Sequence, residues 1–203
     1  MNAISDLWDW RRRIADLYAR IRSSSDPAAA WQEWRATRDA MFACHPQTPL
    51  DRQDRTSFTA LPYFPYDPRL RFTAVLRDTP STRPFDCPGG RDGVITMQPF
   101  AVTDGLAARL GRELTLYWLS GYGGGTFLPY TDGTTGSETY PGGRYLLDTI
   151  KGADLGRTAE GHIVLDFNFS YNPSCAYSPE WVCPLAPEAN RLPVPVRAGE
   201  RCQ

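Results

Sequence analysis

Residues 113–130 read ELTLYWLSGYGGGTFLPY, and this stretch decides the fold class. Two short β-like segments, 113–119 and 126–130, flank the glycine-rich residues 121–125. A phosphate-binding glycine loop needs a strand before it and a helix after it, whereas here a second strand-like segment follows. The glycines are therefore interpreted as the loop of an antiparallel hairpin.

The same strand pattern extends to both sides of this hairpin. Further β-like segments lie at 71–77, 93–100, 144–150 and 162–167, and glycine, proline and aspartate residues separate them. Short strands at such spacing are typical of an antiparallel barrel or sandwich.

The N-terminal part has helical periodicity instead. Residues 4–22 carry an apolar stripe opposite a charged face, which predicts an amphipathic helix. Asp26 is a good N-cap with Pro27 at the first helical position, so a second helix is predicted to about Ala43. Thr48 and the proline after it predict the start of a short third helix.

These patterns together predict an α+β fold. An N-terminal helical hairpin packs on an antiparallel β barrel or sandwich, and a long proline-rich C-terminal wrap closes it. We predict a single domain over 1–203, with a helical part at 1–58, a β-rich core at 69–167 and the wrap at 168–203.

Composition excludes several classes of protein. The chain of 203 residues has 22 basic and 23 acidic side chains and a formal charge of −1, which lacks the positive footprint of a general nucleic-acid binder. No apolar run approaches the roughly 20 residues of a membrane span, so no membrane partner is expected. The first thirteen residues lack the apolar core of a signal peptide, and the five cysteines are scattered, which favours a cytoplasmic location.

Polar side chains are concentrated in two places, residues 131–144 and residues 166–172. Asp166 and Asn168 are expected on the same face of a strand, with Arg144 as the counter-charge at the start of its neighbour. Buried polar groups must pair with one another, with the backbone or with a ligand. Two interpretations therefore stay open, a structural network and a ligand or active site.

The leading functional prediction is an enzyme or binding protein for a small polar or anionic molecule, with the reaction class left open. Arg144 would anchor the anion, and Asp166, or as a second candidate Glu138, would act as acid/base. No cofactor and no metal are predicted. These groups are expected to converge on one concave site that residues 61–66, extended by their prolines, help to line. The orienting hydrogen-bond donors would be Tyr140, Asn168, Tyr171 and Asn172.

Two further hypotheses belong to other classes. Cys175 and Cys183, separated by seven residues, form either structural thiols, a local disulfide, or a redox or metal-binding pair. Their spacing matches no common zinc module, and the chain's two histidines lie elsewhere in the sequence. The tryptophan-rich helices would serve a non-enzymatic partner-binding module.

The C-terminal two thirds of the chain also carry several motifs of a known family. The chain resembles the bacterial and archaeal family called domain of unknown function 1684, whose name implies no established reaction. The resemblance covers nearly the whole chain. It extends upstream to Trp34-Arg35, His45-Pro46, Thr48-Pro49-Leu50 and Leu61-Pro62-Tyr63-Phe64, and downstream to Asn190, Leu192 and Ala198-Gly199-Glu200. The motifs are Phe127-Leu128-Pro129-Tyr130-Thr131-Asp132, Glu138-Thr139-Tyr140, Gly143-Arg144-Tyr145-Leu146, Leu165-Asp166-Phe167-Asn168, Tyr171-Asn172-Pro173, Cys175-Ala176-Tyr177 and Cys183-Pro184.

Overall fold

The structure is a computed structural model that describes residues 2–90 and 93–202. Of the single domain predicted for residues 1–203, positions 1, 91, 92 and 203 therefore lie outside the described part. Within that part, no helix is long and apolar enough to cross a membrane.

Two helices open the chain, α1 (Ala3–Ser23) and α2 (Pro27–Cys44). Both match the predicted ranges to within a residue, because their start signals are local. The Asp26 carboxylate accepts hydrogen bonds from the first free backbone N–H groups of α2, which an N-cap does. The helices contact each other through Trp34, whose indole N–H donates to the Tyr18 hydroxyl at 3.1 Å.

Helix α3 (Arg52–Ser57) starts later than predicted. Its N-cap is Asp51, whose carboxylate accepts from the backbone N–H groups of Gln53 and Asp54, each at 2.9 Å. The Thr48 hydroxyl accepts from one backbone N–H at 3.4 Å and forms a turn before the helix. The carboxylate takes the cap position because it satisfies two of the orphan N–H groups at once.

Within residues 2–90 and 93–202, seven strands and one further short helix, α4 (Ala107–Leu110), follow. Every pairing within the sheet is antiparallel, with the strand order β6-β5-β4-β3-β1-β7 and β2 added on β3. The strands are β1 (Arg71–Asp78), β2 (Phe85–Pro88), β3 (Val94–Asp104), β4 (Thr115–Leu119), β5 (Gly125–Tyr130), β6 (Arg144–Asp148) and β7 (Ile163–Asp166).

The predicted α+β fold is confirmed: N-terminal helices accompany a mostly antiparallel, nearly closed β barrel. The glycine-rich residues 121–125 connect β4 to β5 as a hairpin, with Leu119 opposite Gly125. Strand β2 was not predicted, since it is a short and largely exposed strand without clear alternation. Strand β3 runs four residues beyond the predicted end at Phe100.

The core has two main parts. One lies inside the sheet, where Leu116, Leu128 and Phe167 are almost completely buried. The other lies between the helices and the sheet, where Leu17 and Trp34 are buried in the same cluster as Met97, Phe127 and Tyr145. This shared cluster packs the helical hairpin against the sheet.

After β7 the described part of the chain contains three short 3₁₀ turns, Phe167–Phe169, Ser174–Ala176 and Glu188–Asn190. We call residues 167–202 the C-terminal segment; that it forms a wrap over the whole core stays a prediction. Its end pairs with residues 61–66: the Phe64 N–H donates to the Gly199 carbonyl at 3.0 Å, and Arg201 donates to Pro62 at 2.9 Å.

Candidate functional site

A groove of about 380 Å³ lies between helix α2 and the extended residues 63–66. The prolines that exclude a helix there keep the aromatic side chains in a fixed extended backbone. A second cavity, of about 300 Å³, lies beside α3 and is lined by residues that include Leu50 and Phe58. We call the first one the α2 groove; it is lined by Trp31, Gln32, Arg35, Tyr63, Phe64, Pro65 and Tyr66.

Arg35 is the charged side chain of the α2 groove. Its guanidinium carbon lies 4.7 Å from the ring centre of Trp31 and 5.0 Å from that of Tyr63. Its Nε is buried and has no hydrogen-bond partner, and no described residue forms an ion pair with it. Two aromatic faces stabilise the cation, but no anion of the described chain neutralises it.

The rings around Arg35 are held in place. The Trp31 indole N–H donates to the backbone carbonyl of Asn168 at 2.9 Å, which ties α2 to the turn after β7. Tyr63 and Tyr66 approach Trp31 with ring-centre distances of 6.5 and 5.6 Å in tilted or edge-on geometry. The walls of the groove are therefore preformed.

Asp166 lies directly behind the groove. Its Oδ2 accepts from the Tyr66 hydroxyl at 3.4 Å and from Arg71 at 3.2 Å. Its Oδ1 accepts from the backbone N–H of Asn168 at 3.0 Å and from the Asn168 amide at 2.7 Å. Burial raises the pKa of Asp166 above its usual value despite these donors, and burial together with Asp166 raises the pKa of Tyr66 to about 12.

The Asp166–Asn168 contact has a different origin from the predicted one. Strand β7 ends at Asp166, and a 3₁₀ turn over Phe167–Phe169 returns Asn168 to its side chain. Asn168 also binds the backbone of Asp67, the residue after the groove-lining residues 63–66. Its side-chain amide donates to the Asp67 carbonyl and accepts from the Asp67 N–H, both at 2.9 Å.

Arg144 lies in a separate, closed cluster. One guanidinium nitrogen, Nη2, donates to the Asp132 carboxylate at 2.7 Å and to the Val196 carbonyl at 2.9 Å. The other, Nη1, donates to the carbonyls of Ala198 and Glu200. Both Arg144 and Asp132 are almost completely buried, so this pair joins β6 to the end of the C-terminal segment inside the protein.

A third buried cluster surrounds Glu200. The glycine before it has φ +74°, and any Cβ there would meet the Ser170 carbonyl oxygen at 2.6 Å. This close approach brings the Glu200 carboxylate to Arg38 at 2.7 Å and to the backbone N–H of Asn172 at 3.1 Å. The Tyr177 hydroxyl also donates to it. Burial raises the pKa of Glu200.

The remaining predicted residues are divided among other contacts. Glu138 pairs with Arg197 at 2.8 Å, and hydrogen bonding to Arg197 lowers the pKa of Glu138. The Tyr140 hydroxyl donates to the Cys175 carbonyl at 3.1 Å. The Tyr171 hydroxyl is buried and has no hydrogen-bond partner among the residues that the structure describes.

The predicted site residues thus belong to five groups of contacts, of which Glu138 with Arg197 is one, and the Tyr171 hydroxyl belongs to none. Asp166 and Asn168 meet each other beside the α2 groove, Arg144 meets Asp132, Asn172 meets Glu200, and Tyr140 meets Cys175. The expected wall, residues 61–66, supplies four lining residues of the α2 groove.

The sequence analysis names Arg35 and Glu200 only within family motifs and does not name Arg38, so it assigns none of the three a role. One signal was available: Arg35 follows Trp31, and Arg38 follows Trp34, at helical spacing, which places each arginine over a ring of its own helix. Helix α2 was interpreted by its apolar face alone. Glu200 had no such signal, because its partners are distant in sequence.

Metal ligation finds no support in the geometry. Among the described residues, no group of three or more histidine, cysteine, aspartate or glutamate side chains is arranged to hold a metal ion. The five cysteines are free thiols.

The family model described as "Protein of unknown function (DUF1684)" matches residues 56–201. The chain belongs to this family. The match covers the sheet, the C-terminal segment and residues 61–66, and it stops short of α1 and α2. The suspected family resemblance is confirmed.

A solved structure is similar to this member of the family. It is the solution NMR structure of the uncharacterized protein from gene locus rrnAC0354 of Haloarcula marismortui, with 32% sequence identity and a TM-score of 0.57. The match covers 85% of this chain and 92% of that one. No curated protein matches the chain. The comparisons therefore support the fold and the family, and neither name states a reaction.

Proposed function

We propose that the protein binds a small anionic molecule with a flat apolar part in the α2 groove. The observation that carries this proposal is Arg35, a guanidinium stacked on two aromatic rings at a groove wall and lacking an anionic partner among the described residues. Arginine presents a planar set of donors that matches a carboxylate or phosphate.

Electrostatics supports an anionic ligand over a neutral one. A guanidinium next to low-dielectric aromatic walls attracts charge more strongly than one in open water. A hydrogen bond to a charged group contributes about 1.5–3 kcal/mol, which is sufficient to orient a small ligand.

The apolar half of the proposed ligand follows from the other walls. Tyr63 and Tyr66 present ring surface, and Pro65 adds an aliphatic one. Trp31 is almost completely buried and packs against both tyrosines. Preformed clefts with apolar walls and few polar groups are the usual sites for small molecules. A flat ring that carries one acidic group fits this combination better than a sugar or a polyamine.

Acid/base chemistry at the same site is the finer form of the proposal. Asp166 is itself buried, and the Tyr66 hydroxyl lies between it and the groove. A proton leaving a ligand would pass to Asp166 through this hydroxyl, and the raised pKa of Asp166 suits a group that receives a proton. Tyr66→Phe removes this path while keeping the ring.

Calorimetric titration with benzoate and with phenyl phosphate tests the binding proposal. Both probes have a flat ring and an acidic group, and benzamidine is the control ligand of similar shape and opposite charge. We expect the acidic probes to bind, benzamidine not to bind, and Arg35→Ala to weaken binding at least about tenfold, or about 1.4 kcal/mol.

Arg12→Ala is the matched control variant, because Arg12 also stacks on a tryptophan, Trp8, at 5.5 Å, but away from the groove. It should bind the acidic probes like the unmodified protein. Equal binding of benzoate and benzamidine, no binding of either acidic probe, or equal losses in the two variants would overturn the proposal.

A further inference from the structure

The Tyr66 hydroxyl is the group of the α2 groove that faces a carboxylate. It belongs to a half-buried ring and donates to Asp166 Oδ2 at 3.4 Å. Both oxygens of this carboxylate accept from other donors as well, Oδ2 from Arg71 and Oδ1 from the amide and the backbone N–H of Asn168. Guanidinium and amide N–H groups only donate, so Asp166 acts as an acceptor and the Tyr66 hydrogen is directed to it.

The Tyr66 oxygen therefore keeps its lone pairs. A phenol is both a donor and an acceptor, and Tyr66 uses its hydrogen alone, since no group among residues 2–90 and 93–202 donates to its oxygen. The hydroxyl stays protonated at neutral pH, because burial and the neighbouring Asp166 raise the pKa of Tyr66 to about 12. The groove thus has an unused acceptor that a hydroxyl group of a ligand can fill.

We propose that the α2 groove selects hydroxyaryl carboxylic acids: Arg35 binds the carboxylate, and Tyr66 accepts a hydrogen bond from the hydroxyl group on the ring of the ligand. This inference rests on the proposed function, an anionic ligand with a flat apolar part, and it names the class of that ligand. Tyr66 is then the residue that distinguishes these acids from acids with an unsubstituted ring.

One tryptophan relates the two ends of the site. The Arg35 guanidinium carbon lies 4.7 Å from the Trp31 ring centre, and the Tyr66 ring centre lies 5.6 Å from it. Both groups therefore border a single ring, so one small ligand can reach both. Trp31 donates to the backbone carbonyl of Asn168, whose side chain also donates to Asp166 at 2.7 Å. Because one residue positions the tryptophan and the carboxylate, binding needs little reorganisation.

Other ring substituents fit this end of the groove less well. A methoxy group has no hydrogen to donate, so its lone pairs would face those of the Tyr66 oxygen. Turning the Tyr66 hydroxyl towards such a ligand would take a donor away from the buried Asp166, which is costly. A charged ammonium has donors, but Arg71 lies 3.2 Å from Asp166 Oδ2, and two cations beside one carboxylate repel each other. A hydroxyl group satisfies the acceptor without either cost.

Calorimetric titration of the full chain tests this selection. The ligands are benzoate, 3-hydroxybenzoate, 4-hydroxybenzoate and the two corresponding methoxybenzoates. One hydroxybenzoate should bind at least about fivefold more tightly than benzoate, as expected for one net hydrogen bond, and neither methoxybenzoate should gain over benzoate. In Tyr66→Phe the ratio of hydroxybenzoate to benzoate affinity should fall to about one, because the acceptor is removed while the ring stays.

Tyr122→Phe is the matched control, because Tyr122 is fully exposed in the β4–β5 hairpin and does not line the α2 groove. This variant should keep the preference for the hydroxybenzoate. The inference is overturned if both hydroxybenzoates bind no more tightly than benzoate, if a methoxybenzoate gains as much, or if Tyr66→Phe keeps the preference or binds no acid at all. Failure of the proposed function is a different result, since the unmodified protein would then bind none of these acids.

Discussion

Arg144 and Arg35 both lie against aromatic rings, yet their surroundings differ. Arg144 is buried 5.1 Å from the Tyr130 ring centre and has a carboxylate and three carbonyls as partners. Arg35 lies against two rings at a groove and has no ion-pair partner among the described residues. The Nε atom of both arginines lacks a partner among the described residues, so the contrast lies in the two terminal nitrogens. An arginine whose Nη1 and Nη2 are both bonded inside the protein is committed to the fold, whereas a guanidinium without an ion-pair partner at a groove stays available to a ligand.

The largest effect should come from breaking the Arg144 cluster. Asp132→Ala leaves the guanidinium buried without its counter-charge and also removes an acceptor for the Thr134 and Val196 N–H groups. We expect the free energy of unfolding in urea to fall by about 3–5 kcal/mol. The control is Asp104→Ala, since Asp104 pairs with Arg77 at the surface and should cost less than about 1 kcal/mol. Equal costs would contradict the distinction between the two clusters.

The pH dependence of stability sharpens the comparison at Asp166, which is buried beside the groove. Its folded pKa is raised, so the folded protein holds this proton more tightly than the unfolded chain. The resulting stabilisation is complete below the unfolded pKa, near 3.9, and is lost as the pH rises through the folded pKa. In Asp166→Asn this part of the decline should disappear from urea unfolding measured between pH 3.5 and 6. An unchanged decline would show that other carboxyl groups cause it.

The smallest effect is expected at Glu138, which pairs with Arg197 where both side chains are partly exposed. Solvent and salt screen such a pair, so Glu138→Gln should leave the unfolding midpoint unchanged within the error of the measurement. A clear loss of stability would mean that this surface pair resembles the Arg144 cluster.

Local signals account for the parts of the fold that the sequence predicted. Asp26 and Pro27 define the start of α2 by chemistry within three residues, and the glycines at 121–125 require a tight connection between two strands. Strand β2 was not predicted because its own residues carry no strand pattern. Its pairing with β3 makes it a strand.

The candidate site was less predictable for the same reason. Arg144 and Asp132 both lie in the polar residues 131–144, but the sequence does not show that they form a pair. The fold brings them together and places the carbonyls of Val196, Ala198 and Glu200 around Arg144. Arg35 meets Tyr63 across 28 positions of sequence, so no spacing rule could pair them. Composition and periodicity identify polar residues; the packing decides which of them are already paired.

Urea unfolding of Arg144→Ala and Arg35→Ala, each with and without benzoate, tests the central claim most directly. The account predicts that Arg144→Ala loses about 3–5 kcal/mol of stability or fails to fold, because Asp132 then lacks its buried partner. Arg35→Ala should lose no more than about 1 kcal/mol, and benzoate should raise the midpoint of the unmodified protein but not that of this variant. A stable Arg144→Ala that no longer responds to benzoate, beside an Arg35→Ala that still does, would contradict the account.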